Sequence, residues 1–147
     1  MDPSLTLGWT QARARSRETT YRRVLGLNLV LHVLIGLAAI FAPLTVAGFV
    51  GLAPETAVAW LRAWGGMVLL VTLLYLPGLW NPVRVRWPNV IGILGRFGMA
   101  LLFLLVALTG GAALRGLLWF ALFDFVFAVA LAMLYYRLFE AELMSRP

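Results

Sequence analysis

Residues 112 to 136 are apolar almost without interruption, yet one carboxylate, Asp124, stands near the centre of the run. A helix over those positions is about 37 Å long, enough to cross a hydrocarbon layer of roughly 30 Å with some tilt. An ionised aspartate at that depth is penalised by about 2.5–3.5 kcal/mol even on lenient insertion scales. Asp124 must face protein or water, paired or protonated, and the remainder of the chain has to supply that environment.

Three more apolar runs precede it, at 24–42, 57–76 and 89–109. Pro43 closes the first, and Gly110-Gly111 turns the third into the fourth. The stretch between Pro43 and Thr56 reads as a low-charge loop with an apolar centre. Pro77, Pro82 and Pro88 read as a helix-free loop between the second and third runs. The whole is 63% hydrophobic and 12% charged, against about 45–50% and 25% for soluble domains. The expected fold is all-α: an integral membrane four-helix bundle in up-down-up-down order. Its domain organisation is a basic N-terminal segment over 1–23, a transmembrane domain over 24–136 and a short tail over 137–147.

The net charge of +6 does not imply nucleic acid as a partner, because the arginines collect at helix ends and in loops. With both termini on one side, that side holds Arg13, Arg15, Arg17, Arg22, Arg23, Arg84, Arg86, Arg137 and Arg146, while the opposite side holds Arg115 alone. The asymmetry predicts a multi-pass membrane protein with both termini cytoplasmic. Trp60, Trp64 and Trp119 are expected at the outer boundary, and Tyr75, Trp80, Trp87, Tyr135 and Tyr136 at the inner one. The lipid bilayer is then the first partner, with other membrane subunits or a homo-oligomer beside it.

Cysteine is absent and there is one histidine, which excludes disulfides, iron–sulfur ligation and a multi-histidine metal site within one chain. No metal is expected. A haem would need a second axial ligand from a methionine or another chain. No cofactor is therefore assigned to the chain itself, and a quinone or a haem would be held through a partner.

The polar residues inside the spans are the candidates for ligand binding or proton handling: Asn28, His32, Arg62, Arg96 and Asp124. Asn28 and His32 stand at i, i+4 on one face, with Gly36 continuing the stripe. Thr72 is expected to hydrogen-bond across helices. Arg62, near the outer end of its span between Trp60 and Trp64, either snorkels to headgroups or serves a buried site. The Phe120, Phe123, Phe125 and Phe127 set surrounds its helix and reads as packing and lipid contact. Arg96 and Asp124 lie at similar depth on consecutive antiparallel spans. A guanidinium keeps its charge, so a direct or water-bridged contact between them is expected, aided by close approach at Gly92, Gly95 and Gly98.

The proline closing the first span, Leu61-Arg62-Ala63-Trp64-Gly65-Gly66 in the second, an arginine early in the third and an acid in the fourth resemble the DoxX-like group of small bacterial four-helix membrane proteins. The resemblance covers 24–136. It implies the bundle fold, a place in the bacterial inner (plasma) membrane and a link to quinone-coupled redox, since founding members accompany thiosulfate and thiol oxidation. Without cysteine, this chain has no thiol relay of its own. Two function classes follow: a non-catalytic subunit or scaffold of a membrane complex, and a quinone- or lipid-binding protein with a pocket in the inner half of the bundle. No catalytic residue is assigned in either.

Overall fold

The computed structural model describes residues 3–52 and 54–145, with the side chains of 3–7, 54–57 and 113 left aside. The side chains of Leu5 and Leu7, and Arg146 as a whole, thus lie outside the described residues. The described residues form helices α1 (Pro3–Phe41), α2 (Pro43–Val50), α3 (Pro54–Trp80), α4 (Trp87–Thr109) and α5 (Leu117–Met144), with a 3-10 turn over Ala112–Gly116 before α5. Four are long and apolar enough to cross a membrane. They make an all-α bundle of four antiparallel spans, and α2 caps one end.

The N-terminal part of α1 and the C-terminal part of α5 lie at the same end. There Tyr21 of α1 stacks on Tyr135 of α5 with ring centroids 5.2 Å apart. Arg86, just before α4, pairs with Glu142 of α5 at 3.0 Å and sits 5.1 Å over the Phe139 ring. At the far end α2 packs on the turn before α5. The Phe49 ring meets Phe120 edge-on, and Gly116 lies so close to the Phe49 and Val50 backbone that no side chain fits there.

Helix boundaries differ from the sequence expectation in three places, each for a local reason. The basic segment is helical from Pro3 and continuous with the first span, so α1 has 39 residues and is about 58 Å long, nearly twice a hydrocarbon core. Nothing between Pro3 and Phe41 breaks a helix. Residues 43–50, expected as loop, form α2, because Pro43 occupies a first-turn position where its missing N–H is harmless. Gly51 then stops α2 at φ 75°, a conformation glycine adopts without penalty. Pro77 lies inside α3, which continues to Trp80. One lost donor near the helix end is tolerated, and the Pro77 carbonyl still accepts from Asn81 N–H at 3.1 Å. Only Asn81 to Arg86 remain outside helices, and Pro88 sits in the first turn of α4.

Helices α1 and α3 cross where Gly36 faces Gly65, and the buried small residues Gly36, Gly65 and Ala39 let the two backbones touch. Without a hydrophobic drive between helices in lipid, such van der Waals contact is what holds spans together. Helices α3 and α4 meet toward the end where Tyr21 stacks on Tyr135. A Cβ on Gly78 would come within 2.6 Å of Asn89 Oδ1, and one on Gly92 within 2.5 Å of the Tyr75 ring. Asn89 Nδ2 donates to the carbonyls of Gly78 (3.2 Å) and Val85 (3.3 Å). From there α3 and α4 diverge, and a cleft opens between them.

Candidate functional site

Three helices deliver one polar cluster to the middle of the bundle. On α1 the residues Tyr21, Leu25, Asn28, His32, Gly36 and Ala39 recur every three or four positions, the repeat of one helix face. All six are buried except His32, which is half-buried. Arg96 comes from α4 and Asp124 from α5, and both are buried.

Arg96 is the hub. Its Nη1 donates to Asp124 Oδ1 at 2.8 Å. Its Nη2 donates to Asn28 Oδ1 and lies against the His32 ring, 2.8 Å from Nε2 and 3.5 Å from Nδ1. The Phe127 ring lies 6.0 Å from the guanidinium carbon, within cation–π range. The Arg96–Asp124 contact is therefore direct, and four of the five candidate residues are joined through one guanidinium. Asn28 Nδ2 is left buried without a partner among the described residues.

The other expectations divide. Arg62 is exposed, has no ion pair among the described residues and lies away from the cluster. Thr72 does not bond across helices: its hydroxyl donates to Val68 O of its own helix at 2.7 Å, the back-bonding that a buried threonine adopts when no neighbour offers an acceptor. Of the three α4 glycines, Gly92 takes the Tyr75 ring, whereas Gly98 has nothing near it. Trp64, expected at a membrane boundary, turns inward and stacks edge-on against Phe120, 5.7 Å between centroids.

Beside the cluster lies a cavity of about 590 Å³ between α3 and α4, with His32, Arg96 and Asp124 in its wall. The remaining wall is apolar. Trp64, Phe103 and Phe120 close the end near α2, and Leu74, Trp87 and Ile91 flank the other. Tyr75 and Gly95 complete the side next to Arg96. Leu74 is 70% exposed and Trp87 74%, so the cleft opens sideways, onto the surface that lipid would cover.

Comparison with protein-family models, with curated proteins and with solved structures found no match.

The site is thus read from its own chemistry. A volume of this size suits one small molecule or lipid-sized chain, and a mostly apolar wall with a few converging polar groups is the usual make-up of a ligand site. Tyr75, Trp64, Gly95 and Phe120 line the wall, where the sequence predicts Tyr75 and Trp64 as boundary aromatics, Phe120 as packing or lipid contact and Gly95 as a point of helix approach. The role of Gly95 is to leave space rather than to let helices touch. No group of three or more potential metal ligands occurs among the described residues.

Proposed function

We propose that this chain is a membrane-embedded binding protein whose lateral cleft holds an elongated apolar molecule, with the molecule's polar group at the Arg96–Asp124–His32 cluster. The observation that carries this is the coincidence of the two features. Among the described residues, the ionic cluster buried within the spans forms part of the wall of a cleft large enough for a ligand. A pair serving only to fix helix register would be as well placed against packed side chains. Intramembrane ionisable residues beside a cavity are, by default, a functional site. The resemblance to DoxX-like proteins favours a quinone as one such molecule, acting in membrane redox chemistry with a partner, in the bacterial inner membrane.

Gly95→Phe tests this reading. A Cβ at Gly95 finds only the Tyr75 hydroxyl, 4.0 Å away, so the ring enters the cleft without touching the helix contacts. Protein extracted with its native lipids should carry a specific small molecule, seen by mass spectrometry and, for a quinone, by its ultraviolet absorption. The Gly95→Phe protein should be equally well folded and empty. The same bound lipids in both proteins would defeat the reading.

A role as a subunit or scaffold has separate support in a second apolar groove, about 540 Å³, between α4 and α5 and lined by Phe97, Leu101, Leu104 and Leu122. Gly95→Phe would leave that role untouched.

The arginine distribution supports both termini being cytoplasmic. Single cysteines introduced at Ser4, Thr56 and Ser145 should report it: residues 4 and 145 labelled by an impermeant maleimide only from the cytoplasmic side, residue 56 only from outside. The reverse pattern would invert the orientation.

A further inference from the structure

Hydrogen-bond directions within the cluster restrict what the cleft can accept. Arg96 Nη2 lies 2.8 Å from His32 Nε2 and 3.5 Å from Nδ1, so it approaches the face of the ring and not the lone pair of one nitrogen. The imidazole carries a ring N–H in either tautomer, and a guanidinium, which only donates, cannot accept from it. That N–H is left without an acceptor among the described residues, on a half-buried side chain in the wall of the cleft.

Charge sets a second restriction. Arg96 and Asp124 are the only charged side chains lining the cleft among the described residues, and they neutralise each other at 2.8 Å. An uncharged ligand preserves that balance. A carboxylate or phosphate would bring an unmatched negative charge to a depth where ionised groups are strongly disfavoured.

Position sets a third. Along α4 the wall runs from Trp87 to Phe103, about 24 Å at 1.5 Å per residue. Arg96 stands near the middle of that length, with apolar wall to either side.

Resting on the ligand-binding reading above, we propose that the cleft selects uncharged chain molecules with a hydrogen-bond acceptor between two apolar portions, an internal ketone or ester carbonyl, seated on the His32 ring N–H. It rejects fatty-acid and phospholipid anions.

Three photoreactive probes of matched chain length, each bearing a diazirine, test this: a mid-chain ketone, a plain alkane and a free fatty acid kept ionised at alkaline pH. The full chain in nanodiscs of zwitterionic lipid is irradiated with each, and labelled peptides are mapped. The ketone should label the cleft faces of α3 and α4 about tenfold more than the acid and clearly more than the alkane. His32→Phe should lower the ketone to the alkane's level, whereas His32→Gln, which keeps an N–H donor, should retain most of the difference. Acid labelling equal to ketone, or ketone equal to alkane, would overturn the selection rule while leaving a ligand cleft. Absence of cleft labelling by every probe, or labelling unchanged by Gly95→Phe, would remove the ligand-binding reading and this inference with it.

Discussion

Arg96→Met should destabilise the bundle by about 3–5 kcal/mol, the range for removing one partner of a buried ion pair. The loss goes beyond one bond. Asp124 and Asn28 both accept from the same guanidinium, and His32 packs against it, so its removal leaves an uncompensated carboxylate and an unpaired amide oxygen in the interior. Asp124→Leu should be milder, because the guanidinium keeps Asn28 as an acceptor and His32 beside it, though it loses its counter-charge. The double variant, Arg96→Met with Asp124→Leu, should recover a substantial part of the loss but not all of it, since Asn28 and His32 stay buried and polar. Unfolding followed in bicelles, arranged as a double-mutant cycle, would give the coupling energy. Strictly additive losses would contradict the direct contact. Recovered stability with an empty cleft would assign the pair to binding, and recovered stability with ligand retained would assign it to packing.

The same residues show what a sequence of this kind makes legible. The four spans follow from hydropathy because lipid requires long apolar runs with internally satisfied backbone. Arg96 and Asp124 could be paired from sequence by depth, since a permanently charged group in a span has few acceptable surroundings. The i, i+4 stripe of Asn28 and His32 fixed their shared face, but not that the face points at Arg96. The cleft was illegible for a physical reason. Met67, Val71, Leu74 and Ile91 in its wall are the same residue types that face lipid, so composition cannot separate a cavity from the bundle's outer surface. Proline misled for a related reason. Counting Pro77, Pro82 and Pro88 as one breaker ignores that Pro77 near a helix end and Pro88 in a first turn remove little hydrogen bonding. Trp64 and Trp60 stand four residues apart in a span, yet one turns into the cleft and the other outward, a difference set by how α3 is rotated against α1.

That rotation depends on one glycine of a pair. Gly65→Ala should destabilise the bundle by about 1–3 kcal/mol or more, the scale of overpacking a tight interior, whereas Gly66→Ala should be neutral or slightly stabilising. A Cβ on Gly65 would lie 2.6 Å from Gly36 O, 2.9 Å from Ala39 Cβ and 3.0 Å from Ile40 Cγ1. The first of these is helical backbone in the C-terminal part of α1 and cannot rotate away, so the helices must separate. A Cβ on Gly66 meets nothing within 4 Å, and exchanging glycine for alanine inside a helix favours the helix by up to about 1 kcal/mol. The two neighbours thus make a matched pair in which composition, hydropathy and depth are held constant and only the contact with α1 differs. Separation of α1 from α3 would also be felt at the cluster, because His32 lies one turn from Gly36 on the same face and reaches Arg96 from there. Gly65→Ala should therefore reduce retention of a cleft ligand together with stability, while Gly66→Ala leaves both intact. Unfolding midpoints in bicelles and bound-molecule mass spectrometry on the same preparations would check it. Equal effects of the two substitutions would mean that the α1–α3 crossing does not set the geometry of the site.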